Sequence, residues 1–93
     1  MAELTALKVV VTGRVQGVMF RDFTRHHAEE LGLKGYVKNL PGGRAVELEV
    51  EGERNKLEAL LELVKKGPPR ASVDNTTQAW SAFRGRYTQF KIL

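Results

Sequence analysis

Two glycines and two arginines lie in a short stretch, Gly13 to Arg21, that could bind an anion. The stretch follows an apolar run ending at Val11 and precedes a segment with helical periodicity. Glycine lets the backbone turn tightly and approach a ligand, and the free N–H groups at the start of a helix attract negative charge. An arginine in the first helical turn can hold two phosphate oxygens through its planar guanidinium group. These residue types, in this order, predict a phosphate-binding loop.

A second candidate, Asn39, follows a short predicted strand and precedes the turn Leu40-Pro41-Gly42-Gly43-Arg44. Asn is common before turns because its side chain hydrogen-bonds nearby backbone, so the position alone favours a turn-forming role. Its amide also offers both a donor and an acceptor and could orient a water molecule. Arg21 likewise has an alternative, an ion pair with Asp22, because structural ion pairs often imitate functional sites.

The order of residues in the loop is more specific than its composition. The pattern G-x-V-Q-G-V-x-F-R over residues 13–21 resembles the signature of the acylphosphatase family. The resemblance continues through Leu31-Gly32-Leu33-x-Gly35-x-Val37-x-Asn39, Gly43 and Phe90-x-Ile92. It implies that Arg21 and Asn39 are the catalytic residues. It also implies that phosphate is bound by the backbone amides of Arg14, Val15, Gln16, Gly17, Val18 and Met19. No side-chain role follows for Met19, because the family leaves that position variable.

The activity that the resemblance implies is hydrolysis of an acyl phosphate to a carboxylate and orthophosphate. Arg21 and the loop amides would bind the phosphoryl group, and Asn39 would orient the attacking water. No cofactor and no metal are expected. The chain has no cysteine. Its two histidines, His26 and His27, are adjacent, whereas metal-binding residues on a helix need i, i+3 or i, i+4 spacing to share a face.

Hydrophobic periodicity predicts the elements that would position these residues. Alternation predicts strands over Leu4–Thr12, Lys34–Asn39 and Ala45–Glu51, and helical spacing predicts helices over Phe20–Leu31 and about Glu53–Lys66. The third strand is expected to turn Val46, Leu48 and Val50 to the core and Glu47, Glu49 and Glu51 to water. The remainder is predicted as a strand with a polar interruption at Val73–Trp80, a loop at Ser81–Thr88 and a short last strand at Gln89–Leu93.

This order of elements predicts an α+β, ferredoxin-like split β-α-β sandwich: an antiparallel sheet with two helices on one face and a short C-terminal strand. In this topology the first two strands run in the same direction with the third between them. Their carboxyl ends then lie at one edge of the sheet, roughly 10 Å apart. The glycine loop leaves one of these ends and Asn39 stands at the other, so we expect Arg21 and Asn39 to converge on one phosphate-sized space.

Composition limits the class of protein. Ninety-three residues predict one domain over 1–93, and the net charge of +4 suits either an anionic small substrate or a nucleic acid, which charge alone does not distinguish. No apolar run reaches the roughly twenty residues that span a bilayer, and the N-terminus lacks the features of a signal peptide. A cytoplasmic monomer without a membrane partner is therefore expected.

Two alternatives remain beside the enzyme. RNA-recognition domains share the topology but present aromatic residues on the outer faces of the first and third strands. Here those faces carry Lys8, Val10, Thr12 and the three glutamates, so no nucleic-acid partner is expected. A domain that binds an acyl phosphate without hydrolysing it remains open.

Overall fold

A computed structural model describes residues 3–93, whose strands and helices follow the predicted order. The elements are β1 Leu4–Arg14, α1 Phe20–Glu30, β2 Lys34–Asn39, β3 Ala45–Glu53, α2 Arg54–Lys66, β4 Ser72–Ala82 and β5 Phe90–Ile92. They form one five-stranded sheet in the order β4-β1-β3-β2-β5. The ferredoxin-like prediction is confirmed. The sheet is mixed, however, because β5 pairs with β2 in parallel.

The topology places the carboxyl ends of β1 and β2 at the same edge of the sheet. Both strands pair antiparallel with β3, which lies between them. They therefore run in the same direction, as the sequence predicts. The loop after β1 and the turn after β2 consequently emerge at the same edge of the sheet, one on each side of β3.

One face of the sheet packs against the two helices and forms the core. From the sheet, the buried side chains include Val9, Val11, Val46, Leu48 and Val50. The helices contribute Phe20 and Ala28 from α1, and Leu57, Leu60, Leu61 and Val64 from α2. Burying one such large apolar side chain stabilises the fold by about 1.5–3 kcal/mol. None of the helices within residues 3–93 is long and apolar enough to cross a membrane.

Helix α1 is followed by a glycine in the left-handed conformation. Gly32 has φ 71°, a conformation that costs glycine little. Its N–H donates to the Glu29 carbonyl at 3.0 Å, and the N–H of Leu33 donates to the Ala28 carbonyl at 2.9 Å. These two bonds satisfy carbonyls that the helix end would otherwise leave unpaired.

The predicted polar interruption of the fourth strand is wrong. β4 is continuous over its 11 residues and pairs with β1 along that length, with a register irregularity between Thr12 and Gly13. Because β4 lies at the edge of the sheet, most of its side chains are exposed and need not be apolar. Ser81 and Ala82, predicted as the start of a loop, belong to β4.

The prediction that Glu47, Glu49 and Glu51 face water is also wrong. These side chains lie on the face of the sheet opposite the helices, but the segment 83–89 joins β4 at one edge to β5 at the other and covers that face. Glu51 is only 4% exposed. Its carboxylate accepts bonds from the backbone N–H groups of Arg84 at 2.9 Å and Arg86 at 2.8 Å.

The other two glutamates bond tyrosine hydroxyls. The Tyr36 hydroxyl donates to Glu47 at 2.6 Å, and the Tyr87 hydroxyl donates to Glu49 at 2.8 Å. The bond from Tyr36 is the largest reason why the pKa of Glu47 lies below its ordinary value. Burial, reinforced by the bond to Glu49, raises the pKa of Tyr87 to about 12. Burial and the bond to Glu47 raise the pKa of Tyr36 as well.

Because the pKa values of Tyr36 and Tyr87 are raised, we expect the folded protein to lose stability at alkaline pH. A tyrosine with a raised folded-state pKa contributes stability fully below its unfolded pKa of about 10. For Tyr87 that contribution is lost as the pH rises through its folded pKa of about 12. We therefore expect the free energy of unfolding to fall less between these two pH values in Tyr87→Phe than in the unsubstituted protein, as measured by urea unfolding. Equal slopes for the two proteins would contradict the assignment.

Candidate active site at the end of the first strand

The loop between β1 and α1 is anchored by two buried valines. Val15 is 1% exposed and Val18 is 6% exposed, and both belong to the core. Gly17 between them has φ 74° and is exposed. Within residues 3–93, the backbone N–H groups of residues 15–19 donate no hydrogen bond to a protein acceptor. A loop with its apolar side chains inside and its amides unengaged is suited to bind an anion.

Arg14 and Met19 mark the two ends of this loop. Arg14 is the last residue of β1, in register with Ser72 of β4, so it lies at the edge of the loop. Met19 is the N-cap residue of α1, and its φ of 64° is left-handed. Its carbonyl accepts the first helical bond, from the Phe23 N–H at 3.0 Å. The loop therefore leads directly into the positive end of the helix dipole.

Gln16 ties the loop to the turn that follows Asn39. Its side-chain Nε2 donates to the carbonyls of Leu40 and Ala45, both at 2.9 Å. The backbone adds a further link, from the Gly13 N–H to the Arg44 carbonyl at 2.9 Å. Sequence reasoning placed Gln16 in the loop only through its backbone. The amide group of a glutamine has two donor hydrogens and can bridge two carbonyls. This capacity was the only feature of the sequence that could have suggested the role of the Gln16 side chain.

Arg21 lies in the first turn of α1 and is half-buried. Its Nη1 donates to the Leu93 carbonyl at 3.1 Å, and it forms no ion pair with any acidic residue in the described chain. The alternative pairing with Asp22 is therefore absent from residues 3–93. A cavity of about 200 Å³ lies at this point, lined by Val15, Gly17, Met19, Phe20, Arg21 and Asp22. Arg21 thus borders the same space as the loop.

Asn39, the last residue of β2, has a side-chain oxygen without a hydrogen-bond partner in the described chain. Its Oδ1 is buried and accepts no hydrogen bond from any residue in the range 3–93. Leaving a buried acceptor unsatisfied costs about 1–3 kcal/mol. A turn-forming Asn would bond nearby backbone, and Asn39 makes no such bond within the described chain. Asn39 does not line the cavity beside Arg21; Gln16 connects the loop to the turn after it.

The histidines lie elsewhere on α1. His26 Nε2 is 3.5 Å and His27 Nδ1 is 3.2 Å from Glu30 Oε1. Glu30 lies four residues beyond His26 and three beyond His27, so it shares their helix face, which the spacing of the two histidines alone does not reveal. The three side chains bring their ligand atoms within 4.8 Å of one another. The cluster is on the helix surface, and Glu30 is about 14 Å along the axis from Arg21, at 1.5 Å per residue. It is therefore separate from the loop.

Fold and site together define a ferredoxin-like α+β domain in which the loop between the first strand and the first helix leaves its backbone N–H groups without protein acceptors in the described part of the chain. The sequence model of the acylphosphatase family, described as "Acylphosphatase", matches residues 7–92. The chain belongs to the acylphosphatase family.

Individual relatives extend over nearly the whole chain. An acylphosphatase of Dehalococcoides mccartyi strain CBDB1 is 46% identical over 86 residues, which cover 92% of this chain and 94% of that protein. The crystal structure of acylphosphatase from Bacillus subtilis has a TM-score of 0.90 at 37% identity and covers 98% of this chain and 99% of its own. An acylphosphatase structure from Coxiella burnetii has a TM-score of 0.89 at 41% identity, with 97% and 93% covered.

Proposed function

We propose that this protein hydrolyses the carboxyl–phosphate bond of acyl phosphates through Arg21, Asn39 and the loop amides. Acylphosphatases are hydrolases that act on acid anhydrides, and the chain belongs to that family. The observation that best supports the assignment of residues is the buried Oδ1 of Asn39, which has no partner within residues 3–93. An acceptor that no described residue engages, beside a turn that Gln16 ties to the loop, is available to a water molecule once rotation of the side chain exposes it.

The loop and Arg21 would bind the phosphoryl group. The free N–H groups of residues 15–19 and the guanidinium group of Arg21 supply donors and positive charge to its oxygens. Phosphoryl transfer depends mainly on positioning and on stabilising charge that spreads over the equatorial oxygens. Val15 and Val18 hold the loop amides in place from the core, so little reorganisation is needed when the charge develops.

Asn39 would orient the attacking water. Its Oδ1 accepts a hydrogen bond from the water, whose oxygen attacks phosphorus in line with the leaving carboxylate. The new P–O bond forms as the bond from phosphorus to the acyl oxygen breaks, and the water's proton passes to a phosphate oxygen. Because a carboxylate leaves readily, neither a nucleophilic side chain nor a strong general base is required. Gln16 fixes the distance between loop and turn that this alignment needs.

Catalysis is expected to be independent of metal ions, since the loop amides and Arg21 supply the positive charge. The value of kcat/KM should be unchanged after exhaustive dialysis against a chelator. The comparison is with the same sample to which magnesium or zinc is added back. A loss of activity that either metal restores would contradict the mechanism.

We further propose that residues 1–93 act as a single-domain monomer in the cytoplasm, with no nucleic-acid partner. The loop, α1 and β2 of one chain supply every residue assigned here, so one copy is sufficient. The net charge of +4 is compatible with a small anionic substrate. Light scattering on the purified protein gives the oligomeric state.

The direct test of function is release of benzoate from benzoyl phosphate by the purified protein. The protein should release benzoate with saturable kinetics. Substitution of Arg21 or Asn39 should remove most of this turnover. Binding of the substrate without turnover would favour the alternative, a domain that only binds acyl phosphates.

A further inference from the structure

Met19 adopts a backbone conformation that its residue type does not favour. Among residues 3–93 it is the only residue other than glycine with a positive φ, at 64°. A left-handed conformation is costly for residues that carry a Cβ, and glycine would adopt it without strain. The backbone conformation at this position favours glycine, yet the chain has a methionine side chain there.

The Met19 side chain is exposed beside the anion-binding loop. It is 68% exposed, the most of any large apolar side chain in the described chain, the next being Leu93 at 59%. It also lines the cavity of about 200 Å³ that Gly17 and Arg21 border. The apolar, flexible side chain of Met19 thus lies at the edge of the cavity proposed to bind the charged phosphoryl group.

We infer that Met19 contacts the acyl group of the substrate and favours apolar, particularly aromatic, acyl phosphates. This inference rests on the proposed function. An acyl phosphate has a charged end and an acyl end, and when the loop binds the phosphate the acyl group must project toward the rim. The thioether is flexible and polarisable and makes favourable contacts with aromatic rings. Contact with an acyl group would cover an apolar surface that is otherwise open to water.

The test compares benzoyl phosphate with acetyl phosphate, which shares the reacting bond and has only a methyl group. Met19→Gly removes the side chain and suits the left-handed backbone, Met19→Gln keeps the length of the side chain but makes its end polar, and Met19→Leu keeps it apolar. Leu4→Gln is the control, because Leu4 is an exposed apolar residue at the start of β1. Thermal melting confirms that each variant is folded.

We expect the benzoyl-to-acetyl ratio of kcat/KM to fall about tenfold in Met19→Gly and Met19→Gln, at the low end of what one apolar contact discriminates. The fall should lie mainly in KM for benzoyl phosphate, because the acyl contact exists both before and during the reaction. Met19→Leu should restore most of the ratio, and Leu4→Gln should leave it unchanged.

Two results would overturn the inference while leaving the proposed function intact. One is an unchanged ratio in folded Met19→Gly and Met19→Gln. The other is an equal loss for both substrates, which would mean that Met19 maintains the loop conformation and does not contact the acyl group. Absence of turnover of either substrate by the unsubstituted protein would instead defeat the proposed function, and this inference with it.

Discussion

The substitution Asn39→Ala is expected to lower kcat by at least about a hundredfold, comparable to the loss of one preorganised polar group in an active site. Asn39 is proposed to position the attacking water, so the loss should lie in kcat more than in KM. Its buried Oδ1 has no partner in the described chain. Removing it therefore breaks no hydrogen bond to a described residue at that atom.

The stability of Asn39→Ala separates a catalytic role from a structural one. Because the substitution removes an unsatisfied acceptor, we expect the free energy of unfolding to change by less than about 1 kcal/mol, or to rise. A residue needed to form the turn would instead destabilise the protein when truncated. Asn75→Ala, on the exposed edge strand β4, is the matched control and should retain full turnover. Near-normal kcat in folded Asn39→Ala would show that Asn39 does not orient the attacking water.

The substitution Arg21→Gln is expected to lower kcat/KM by about 10³-fold or more, the range seen when an arginine that stabilises a transferring phosphoryl group is lost. It should also remove the specific effect of orthophosphate, the reaction product, on thermal stability. Orthophosphate at about ten times its dissociation constant should stabilise the unsubstituted protein by about 1.4 kcal/mol. For a domain of this size that raises Tm on the order of 5–10 °C.

Two other effects of this substitution must be separated from phosphate binding. Arg21 also donates to the Leu93 carbonyl, so Arg21→Gln should melt at a lower temperature even without phosphate. Phosphate at high concentration stabilises any protein by exclusion from its surface. The informative quantity is therefore the saturable shift at low phosphate concentration, measured in each protein against its own phosphate-free Tm. An equal saturable shift in both proteins would show that phosphate binds elsewhere.

Local patterns in the sequence were sufficient for the parts of the fold that depend on local physics. The helical spacing of Leu57, Leu60, Leu61 and Val64 specifies one buried stripe, and all four side chains are buried in the structure. Gly32 ends α1 through its own left-handed φ. Once these elements were placed, the topology brought the ends of β1 and β2 to one edge of the sheet. The approximate position of the candidate site followed from that topology.

The errors concern residues whose environment depends on distant parts of the chain. Alternation placed Glu49 and Glu51 on the outer face of β3, but it could not show that the segment 83–89 would cover that face and donate hydrogen bonds to them. β4 appeared interrupted because a polar strand is recognisable only when its edge position is known. The two carbonyls that Gln16 bonds lie 24 and 29 residues away, so periodicity holds no information about them.

The most direct test of the central claim is the fate of the water oxygen when benzoyl phosphate is hydrolysed in water enriched in a heavy oxygen isotope. Mass spectrometry of the products shows which bond breaks, and Asn39→Ala serves as the control for the site. The mechanism predicts saturable turnover in which the isotope enters orthophosphate and not benzoate, because water attacks phosphorus. Label in benzoate, or turnover that Asn39→Ala leaves unchanged, would contradict the account.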